Sequence, residues 1–378
     1  MKINATSKSV KILSVFGTRP EAVKMLPLVK CIAMTDGLEG KVCVTAQHRE
    51  MLDQVMNVFN VSADYDLNLM RPNQTLTSLT ADVITDLSKI FATDRPDLVL
   101  VHGDTTTSFA AALAAFYQQI PVGHVEAGLR TYNKYSPFPE EINRCLTARL
   151  ATLHFAPTAL NVHNLLKENI INHVYQTGNT IIDALATTVH KEYVFKNNQL
   201  QQIDFVSKRT ILVTAHRREN WGYLRQIFSA ILEVVEKFSD VQVVFPVHKN
   251  PSVFNVAHEM LGGCSRVYLV DPVDVEDMHN LLSRVFFVLT DSGGLQEEAP
   301  FFGKPVLVLR SVTERPEGVE AGVVCVVGVE TSRIVEATRL LLTDELVYLQ
   351  MSKVPNLYGD GRASQRICQA ITEYFRDS

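Results

Sequence analysis

Carboxylates and cations follow the short apolar runs of this sequence, at the points where the runs end. Arg19 comes after VKILSVF with Lys24 about one helical turn later, Asp104 follows DLVLV, and Glu126 follows PVGHV. Such carboxylates can give and take protons, and arginine or lysine can neutralise an anion. The second half repeats this pattern with His216, Arg217, His248, Ser292, Gly293 and Arg315. Each signal is weak alone, but together they favour an anionic ligand.

Among the individual segments, VLTDSGGLQEEA gives the clearest physical reason to expect a bound anion. Gly293 and Gly294 follow an apolar run and open a predicted helix. Glycines let the backbone approach a ligand closely, and a helix N-terminus presents N–H groups, so a diphosphate fits there. The alternative is an ordinary helix start, with Ser292 as the N-cap and Gln296 and Glu297 in the first turn. These residues alone leave both interpretations open.

Several other chemistries lack their signatures. No G-x-x-x-x-G-K-[ST], G-x-G-x-x-G after the first strand, H-E-x-x-H or G-x-S-x-G is found. Asp64-Tyr65-Asp66 matches the acid-x-acid pattern of metal-dependent sugar transferases, but it lies outside a convincing strand end. We therefore predict neither a metal site nor a cofactor.

Strand and helix patterns alternate in both halves of the chain, which indicates βαβ units on parallel sheets. The predicted strands are 10–16, 41–45, 97–101, 121–126, 209–214, 241–246, 267–270, 285–290 and 305–309. The predicted helices include 21–33, 49–59, 79–93 and 224–238, and AHRRENWG is predicted to be a loop. KILSVFGTRPE and RTILVTAHRRE are weakly similar, which supports two doubly wound halves with a boundary near 191–208. Ligands of such sheets bind beyond the carboxyl ends of the strands.

Length and composition agree with this organisation. The chain has 378 residues, of which 46% are hydrophobic and 20% charged, typical of a globular protein with two or three domains. The net charge of −5 gives no global support to nucleic-acid binding. The six cysteines are scattered, and neither a signal peptide nor a membrane span is recognised. We therefore predict a cytoplasmic protein with reduced thiols, without a nucleic-acid or membrane partner.

Long motifs in a fixed order resemble the UDP-N-acetylglucosamine 2-epimerase family, in its bacterial non-hydrolysing form. They include VFGTRPEAVKMLPLV, VTAQHREMLDQV, LVHGDTTTSFAA, GHVEAGLRTYNKYSPFPEEINR, TGNTIIDAL, TAHRREN, PVHKNP and TDSGGLQEEAPFFGKPVLVLR with TERPE, and reach YGDGRAS. The resemblance implies two Rossmann-like domains facing across a cleft, similar to the GT-B architecture. It places the N-terminal domain at 1–190 with a final helix at about 356–378, and the UDP-binding domain at 191–355. Members are usually homodimers.

The resemblance also implies a reaction, the interconversion of UDP-N-acetylglucosamine and UDP-N-acetylmannosamine for cell-surface polysaccharide synthesis. The C2 proton is very weakly acidic because C2 is not next to a carbonyl. The family therefore eliminates UDP to give 2-acetamidoglucal, and UDP adds back after C2 is reprotonated on the other face. Carboxylates must handle protons, and cations must neutralise the departing diphosphate.

The residues that match the family's motifs are assigned roles by that resemblance. Its catalytic positions are matched by Asp104, Glu126, Glu140, Arg144 and His216. Its substrate-binding positions are matched by Arg19, Lys24, Ser292, Gly293, Gly294, Glu298 and Arg315, with the glycine turn on phosphate and Glu298 on ribose. Which carboxylate is acid and which is base stays open.

A second UDP-N-acetylglucosamine site, which activates bacterial members, is also implied. Its positions are matched by Gln47, Glu50, Glu140, Arg217 and His248. Glu50 stands where some relatives have glutamine, and Ser311-Val312 stands where relatives often have Asp-Thr. The first difference affects the expected affinity for the activator, and the second lies beside the retained Arg315.

Three alternatives remain open at this stage. A hydrolysing epimerase would release UDP and free N-acetylmannosamine, but the intact QHRE and HRREN segments favour the non-hydrolysing type. A glycosyltransferase of the same architecture would need an acceptor site that no motif marks. A non-catalytic nucleotide-sugar sensor should lack the carboxylates, yet Asp104, Glu126 and Glu140 are all present.

Overall fold

Two parallel sheets with their helices form two compact units. The computed structural model describes residues 9–45, 49–71 and 74–377, and at residues 49–51 it describes the backbone alone. One unit contains the described residues of Met1–Thr187 and Tyr358–Ser378, and the other is Thr188–Leu357. Both sheets are parallel throughout their described pairings, so the predicted α/β class is confirmed.

Seven strands form the sheet of the first unit within the described ranges. They are β1 Val10–Phe16, β2 Leu38–Val44, β3 Tyr65–Asp66, β4 Leu98–His102, β5 Val122–Val125, β6 Leu153–Ala156 and β7 Val174–Gln176. Their order is β3-β2-β1-β4-β5-β6-β7, so the direction of winding reverses between β1 and β4. Ligands of open α/β sheets bind outside the carboxyl ends of the strands at such a point.

The helices of the first unit cover this sheet with apolar side chains. They are α1 Arg19–Ala33, α2 Arg49–Val58, α3 Leu76–Thr93, α4 Thr106–Tyr117, α5 Glu140–Leu150, α6 Ala159–Lys167 and α7 Thr180–Thr188. The alanines of α4, including Ala110, Ala111 and Ala114, are fully buried in the core with Val15 and Val99. Their small side chains allow this helix to lie close to the sheet.

The second unit repeats the arrangement with six strands in the part of the chain that the structure describes. They are β8 Arg209–Thr214, β9 Val241–Pro246, β10 Val267–Val270, β11 Phe287–Thr290, β12 Val306–Val308 and β13 Val324–Val326, in the order β10-β9-β8-β11-β12-β13. The helices are α8 Asn198–Gln201, α9 Leu224–Lys237, α10 Pro251–Leu261, α11 Val275–Arg284, α12 Leu295–Glu298, α13 Pro316–Glu320, α14 Thr331–Thr343 and α15 Glu345–Ser352. Apolar clusters fill both faces of this sheet, as expected for parallel strands.

The prediction of a loop at AHRRENWG is wrong for its second half. Arg218–Tyr223 forms a 3₁₀ helix. Asn220 is buried in it, and its side-chain amide donates to Oδ2 of Asp291 at 3.1 Å and to the carbonyl of Leu309 at 2.9 Å. These two contacts come from residues far along the chain, so local sequence patterns could not predict the turn.

The predicted boundary segment 191–208 is folded onto α11 of the second unit. The backbone N–H groups of Lys196 and Asn197 donate to the carboxylate of Asp277, each at 2.9 Å, and the hydroxyl of Tyr193 donates to it at 2.8 Å. One buried carboxylate therefore fixes the segment.

The last helix, α16 Ala363–Asp377, packs on the first unit. The carboxylate of Asp183 in α7 accepts hydrogen bonds from the backbone N–H groups of Ala363 at 3.1 Å and Ser364 at 2.8 Å. Asp183 thereby caps the start of α16 from another helix. Among the helices in the described ranges, none is both long enough and apolar enough to span a bilayer.

Candidate active site

The loop after β1 is fixed by a buried carboxylate. Glu21 is 2% exposed, and its Oε2 accepts hydrogen bonds from the backbone N–H groups of Gly17 at 3.1 Å and Thr18 at 2.8 Å. Its Oε1 accepts from the hydroxyls of Thr105 at 2.6 Å and Ser108 at 3.0 Å. Glu21 therefore joins the start of α1, where the half-buried Arg19 lies, to the start of α4. The sequence signal of Glu21 is its place in a capping box.

Glu126 follows β5 in a backbone conformation that few side chains adopt. Its φ is +63°, in the left-handed region, which costs free energy and is concentrated at functional sites. The ammonium group of Lys24 pairs with its Oε2, and both side chains are 10% exposed. The amide of Asn179 donates to the same oxygen at 2.9 Å, and Nε2 of His102 lies 3.8 Å from it. The structure thus brings together Glu126 and Lys24, which are 102 positions apart in the sequence.

Asp104 has a different cation. Nη2 of Arg144 lies 2.5 Å from Oδ2 of Asp104, and Nη1 lies 3.4 Å from Oε2 of Glu141. The amide of Asn143 donates to the carbonyl of Asp104 at 3.0 Å. The guanidinium of Arg144, one of the predicted catalytic residues, is thus held by two carboxylates of its own unit. Its side chain is 6% exposed.

The two adjacent glutamates that begin α5 have different environments. Glu141 is buried, and its carboxylate accepts hydrogen bonds from the backbone N–H groups of Thr131 and Tyr132. Glu140 is half-buried at the first helical residue. Glu141 therefore holds the preceding loop, and Glu140 is the one of the pair that solvent reaches.

In the second unit, Asp291 organises the predicted histidine and arginine. Oδ1 of this buried carboxylate lies 3.1 Å from Nδ1 of His216, and its Oδ2 accepts from the backbone N–H groups of His216 and Arg217, each at 2.9 Å. Burial raises the pKa of Asp291, but the hydrogen bonds and charge of His216 outweigh it, so the net pKa is lowered. An ionised aspartate at this distance can orient the imidazole.

The glycine pair after β11 lies against two guanidinium groups. A Cβ added to Gly293 would lie 3.6 Å from Nη2 of Arg217 and 3.6 Å from Nη1 of Arg315. A Cβ added to Gly294 would lie 3.0 Å from Oε1 of Glu298, which is closer than most Cβ contacts in proteins. The turn therefore offers glycine backbone beside two cations, as an anion site requires.

The helix after this turn differs from the predicted helix start with Ser292 as the N-cap. Gly294 is the N-cap, and α12 is a single turn that continues as a 3₁₀ helix over Ala299–Phe302. Ser292 does not cap it, and instead its carbonyl accepts from the side-chain amide of Gln296 at 3.1 Å. So short a helix has a small dipole, so the two arginines supply most of the positive charge at this turn.

The arginines are balanced by carboxylates that sequence reasoning did not single out. Nη2 of Arg315 lies 2.6 Å from Glu297, and Nη1 of Arg310 lies 2.7 Å from Glu314. Burial raises the pKa of Glu314, but the hydrogen bond and charge of Arg310 lower it further, to about 2. Arg217 lies 4.0 Å from the same glutamate. The segments QEEA and TERPE could have pointed to these carboxylates, because each places a glutamate next to a predicted ligand residue.

The predicted activator residues are only partly described. The rings of His248 and His216 lie nearly parallel, 6.0 Å apart. Nδ1 of His248 accepts from the backbone N–H of Asn250 at 3.1 Å, and burial lowers the pKa of this imidazole. Gln47 and the side chain of Glu50 lie outside the described residues.

The acid-x-acid segment has structural contacts. Oδ2 of Asp64 accepts from the backbone N–H of Val42 at 2.8 Å, and Oδ1 of Asp66 accepts from that of Asn68 at 3.0 Å. Tyr65–Asp66 forms the edge strand β3, a strand end that the sequence analysis missed. Within the described ranges, no group of three or more histidine, cysteine, aspartate or glutamate side chains could hold a metal ion.

Comparison with known proteins gives one consistent family. Residues 30–372 match the family model described as UDP-N-acetylglucosamine 2-epimerase. The chain is 52% identical over 370 residues to the UDP-N-acetylglucosamine 2-epimerase of Bacillus subtilis, covering 97% of this chain and 96% of that one.

Solved structures agree over nearly the whole length. A Staphylococcus aureus structure with UDP is 51% identical, has a TM-score of 0.89 and covers 97% of both chains. A Neisseria meningitidis UDP-GlcNAc 2-epimerase bound to UDP-GlcNAc is 48% identical, with a TM-score of 0.90 and coverage of 96% and 100%. A glycosyltransferase that is 12% identical shares the fold alone, with a TM-score of 0.66. The resemblance read from the motifs is confirmed: this chain belongs to the UDP-N-acetylglucosamine 2-epimerase family.

Proposed function

We propose that this chain interconverts UDP-N-acetylglucosamine and UDP-N-acetylmannosamine without net hydrolysis. The observation that carries the proposal is the pairing of strand-end carboxylates with their own cations, Glu126 with Lys24 and Asp104 with Arg144. A neighbouring cation keeps a desolvated carboxylate ionised, and an ionised carboxylate can accept a proton. Membership of the family and its relatives' structures with UDP and UDP-GlcNAc support the same substrate.

The chemistry is an elimination followed by a re-addition. A carboxylate takes the C2 proton, the C2–H electron pair becomes the C1–C2 double bond, and the C1–O bond breaks with its electrons on UDP. In the return step, a carboxyl group gives a proton to the opposite face of C2, and the UDP oxygen adds to C1. Asp104, Glu126 and Glu140 are the proposed proton-transfer residues.

Positive charge must stabilise UDP as it leaves. We assign this role to Arg315, which lies beside Gly293. His216, held by Asp291, is a further donor to the diphosphate, and Glu298 is assigned to the ribose hydroxyls. Arg19 on the first loop is also assigned to substrate.

The test is to incubate the chain with UDP-N-acetylglucosamine in D2O and follow the sugar by NMR. The proposal predicts deuterium at C2 and a mixture of both UDP-sugars. Free N-acetylmannosamine with released UDP would show a hydrolysing epimerase instead. A substrate that is unchanged after long incubation would contradict both.

The proposal extends to activation by the substrate itself. Arg217 and His248 are assigned to an activator site together with Gln47, Glu50 and Glu140, on the family resemblance. UDP-N-acetylmannosamine alone should then react slowly until a trace of UDP-N-acetylglucosamine is added. Full activity from the start of the reaction, without added UDP-N-acetylglucosamine, would contradict activation by this compound.

The assembly and location are proposed on the same resemblance. We expect a homodimer in the cytoplasm that supplies UDP-N-acetylmannosamine for cell-surface polysaccharide synthesis. Light scattering on the purified chain should give about twice its mass of 42.2 kDa. A single-chain mass at micromolar concentration would contradict the dimer.

A further inference from the structure

Three nitrogen atoms lie near one of the two carboxylate oxygens of Glu126. Oε2 accepts from Lys24, accepts from Nδ2 of Asn179 at 2.9 Å, and lies 3.8 Å from Nε2 of His102. They come from three places in the fold: α1, the residue before α7, and the last residue of β4. Three groups from different parts of the fold therefore converge on one oxygen of this carboxylate.

Asn179 is held in place by contacts at both ends. Its Oδ1 accepts from the backbone N–H of Ile181 at 3.1 Å, which fixes the amide so that Nδ2 points at Glu126. Its own N–H donates to the carbonyl of Tyr358 at 2.6 Å. The residue is 2% exposed. An amide fixed in this way orients a carboxylate at a small cost in entropy.

His102 is a buried imidazole with an unused nitrogen. Its Nε2 makes no hydrogen bond to any described residue. Burial lowers the pKa of His102 to about 4, against the opposing charge of Glu126, so the ring is neutral at physiological pH. A neutral imidazole beside a carboxylate favours the tautomer with hydrogen on the facing nitrogen. A separation of 3.8 Å is longer than a hydrogen bond, but such contacts often tighten once substrate binds.

We propose that Asn179 and His102 are positioning residues for Glu126, which direct N–H groups at Oε2 and so orient the carboxylate for proton transfer at C2 of the sugar. This inference rests on the proposed function. Neither residue needs to touch the substrate. Each acts by directing an N–H at the carboxylate of Glu126, a residue whose backbone has the strained φ of +63°.

Asn179→Asp tests the amide while keeping the fold. The new carboxylate retains the oxygen that accepts from Ile181, but it replaces the donor with a like charge against Oε2. We expect kcat to fall about 100-fold at pH 9, because a hydrogen bond to a charged group is replaced by repulsion and the carboxylate is displaced. KM and the Kd for UDP should change less than about threefold.

The pH profile gives a signature that a merely structural role would not produce. Lys24 from α1 and His102 from β4 are the titratable groups that the described structure places against Oε2. Two carboxylates this close share a proton at raised pKa, and the protonated form restores an O–H donor. The ratio of variant to wild-type kcat should therefore rise at least tenfold between pH 9 and pH 6. A ratio that is constant with pH, or a variant with wild-type kcat at pH 9, would overturn the proposal for Asn179.

His102→Gln tests the imidazole and should lower kcat about tenfold with little change in KM. The matched control is His154→Gln, since His154 is also buried and its pKa is also lowered to about 4 by burial. Asn161→Asp is the control for the amide, because Asn161 is buried and its Oδ1 likewise accepts from a backbone N–H, that of Thr158 at 3.0 Å. Both controls should keep wild-type kcat, and equal losses in His154→Gln and His102→Gln would overturn the role of His102.

The outcomes separate this inference from the proposed function. A wild-type chain that exchanges no deuterium into C2 contradicts the proposed function. A wild-type chain that exchanges, alongside variants that exchange equally fast, contradicts the positioning role alone. UDP binding measured by calorimetry shows in both cases that the variants are folded.

Discussion

The two units use the same strand-end positions for opposite charge arrangements. In the first unit, Glu126 and Asp104 each pair with a cation of the same unit, and the side chain of Glu126 is 10% exposed. In the second unit, Arg217 and Arg315 lie beside a glycine turn within a group of carboxylates, and the side chain of Arg217 is 33% exposed. Carboxylates held by cations favour a defined proton acceptor, whereas guanidinium groups beside a glycine turn favour an anionic ligand. The comparison therefore predicts that substitutions in the first unit affect turnover and those in the second affect UDP affinity.

The largest effect is expected from Glu126→Gln. The amide cannot accept the C2 proton, so kcat should fall about 1,000-fold, within the range for loss of general base catalysis. The Kd for UDP by calorimetry should stay within about threefold. Glu39→Gln, an exposed glutamate of the same unit, is the control and should keep full activity. A parallel loss of UDP binding in Glu126→Gln would break the division between the units.

Glu314→Gln should give the next largest effect, on stability. The pKa of Glu314 is lowered from its ordinary value of 4.5 to about 2. Its ionised form therefore stabilises the fold at pH values above 4.5, and this contribution is lost as the pH falls towards 2. The shift corresponds to about 3 kcal/mol at pH 7. Fluorescence of Trp221, the single tryptophan of the chain, reports denaturation of this unit.

The control for this prediction is Glu336→Gln, an exposed glutamate paired with Arg339. It should cause no measurable loss of stability, because exposed pairs contribute little. The deficit of Glu314→Gln should shrink between pH 4.5 and pH 2. A deficit that is equal at pH 7 and pH 2.5 would show that packing, and not charge, holds Glu314.

Arg315→Gln should weaken UDP binding about 30-fold. The substitution removes one of the two guanidinium groups beside Gly293, and this loss corresponds to about 2 kcal/mol for a charge-assisted hydrogen bond. Calorimetric titration with UDP measures it. Arg339→Gln, on the exposed face of α14, is the matched control. An unchanged Kd for UDP in Arg315→Gln would show that this arginine does not bind the diphosphate.

The smallest effect is expected from Gly293→Ala. The added methyl would make ordinary contacts at 3.6 Å with both guanidinium groups, so folding should be unaffected. It would occupy space beside the phosphate, and we expect the Kd for UDP to rise about fivefold. Gly263→Ala, where a Cβ meets nothing within 4 Å, should leave it unchanged. A UDP affinity equal to that of the wild type would show that UDP does not approach this glycine.

Apolar runs such as VKILSVF predicted the strands because their residues are buried on both faces of a parallel sheet. The 3₁₀ helix at Arg218–Tyr223 was missed because Asn220 is held by residues 71 and 89 positions away. The candidate residues Glu126 and Arg315 came from motifs. The meeting of Glu126 with Lys24 and Asn179 could not be predicted, since local patterns do not say which side chains from distant parts of the chain come together.

The central claim is that the C1–O bond breaks as the C2 proton leaves, and isotopes test both events in one sample. UDP-N-acetylglucosamine with ¹⁸O in the bridge between C1 and the β-phosphorus is incubated with the chain in D2O. The account predicts deuterium at C2 together with ¹⁸O distributed to the non-bridging β-phosphate oxygens, because free UDP can rotate before it adds back. UDP-N-acetylmannosamine formed with hydrogen at C2 and ¹⁸O wholly in the bridge would contradict it.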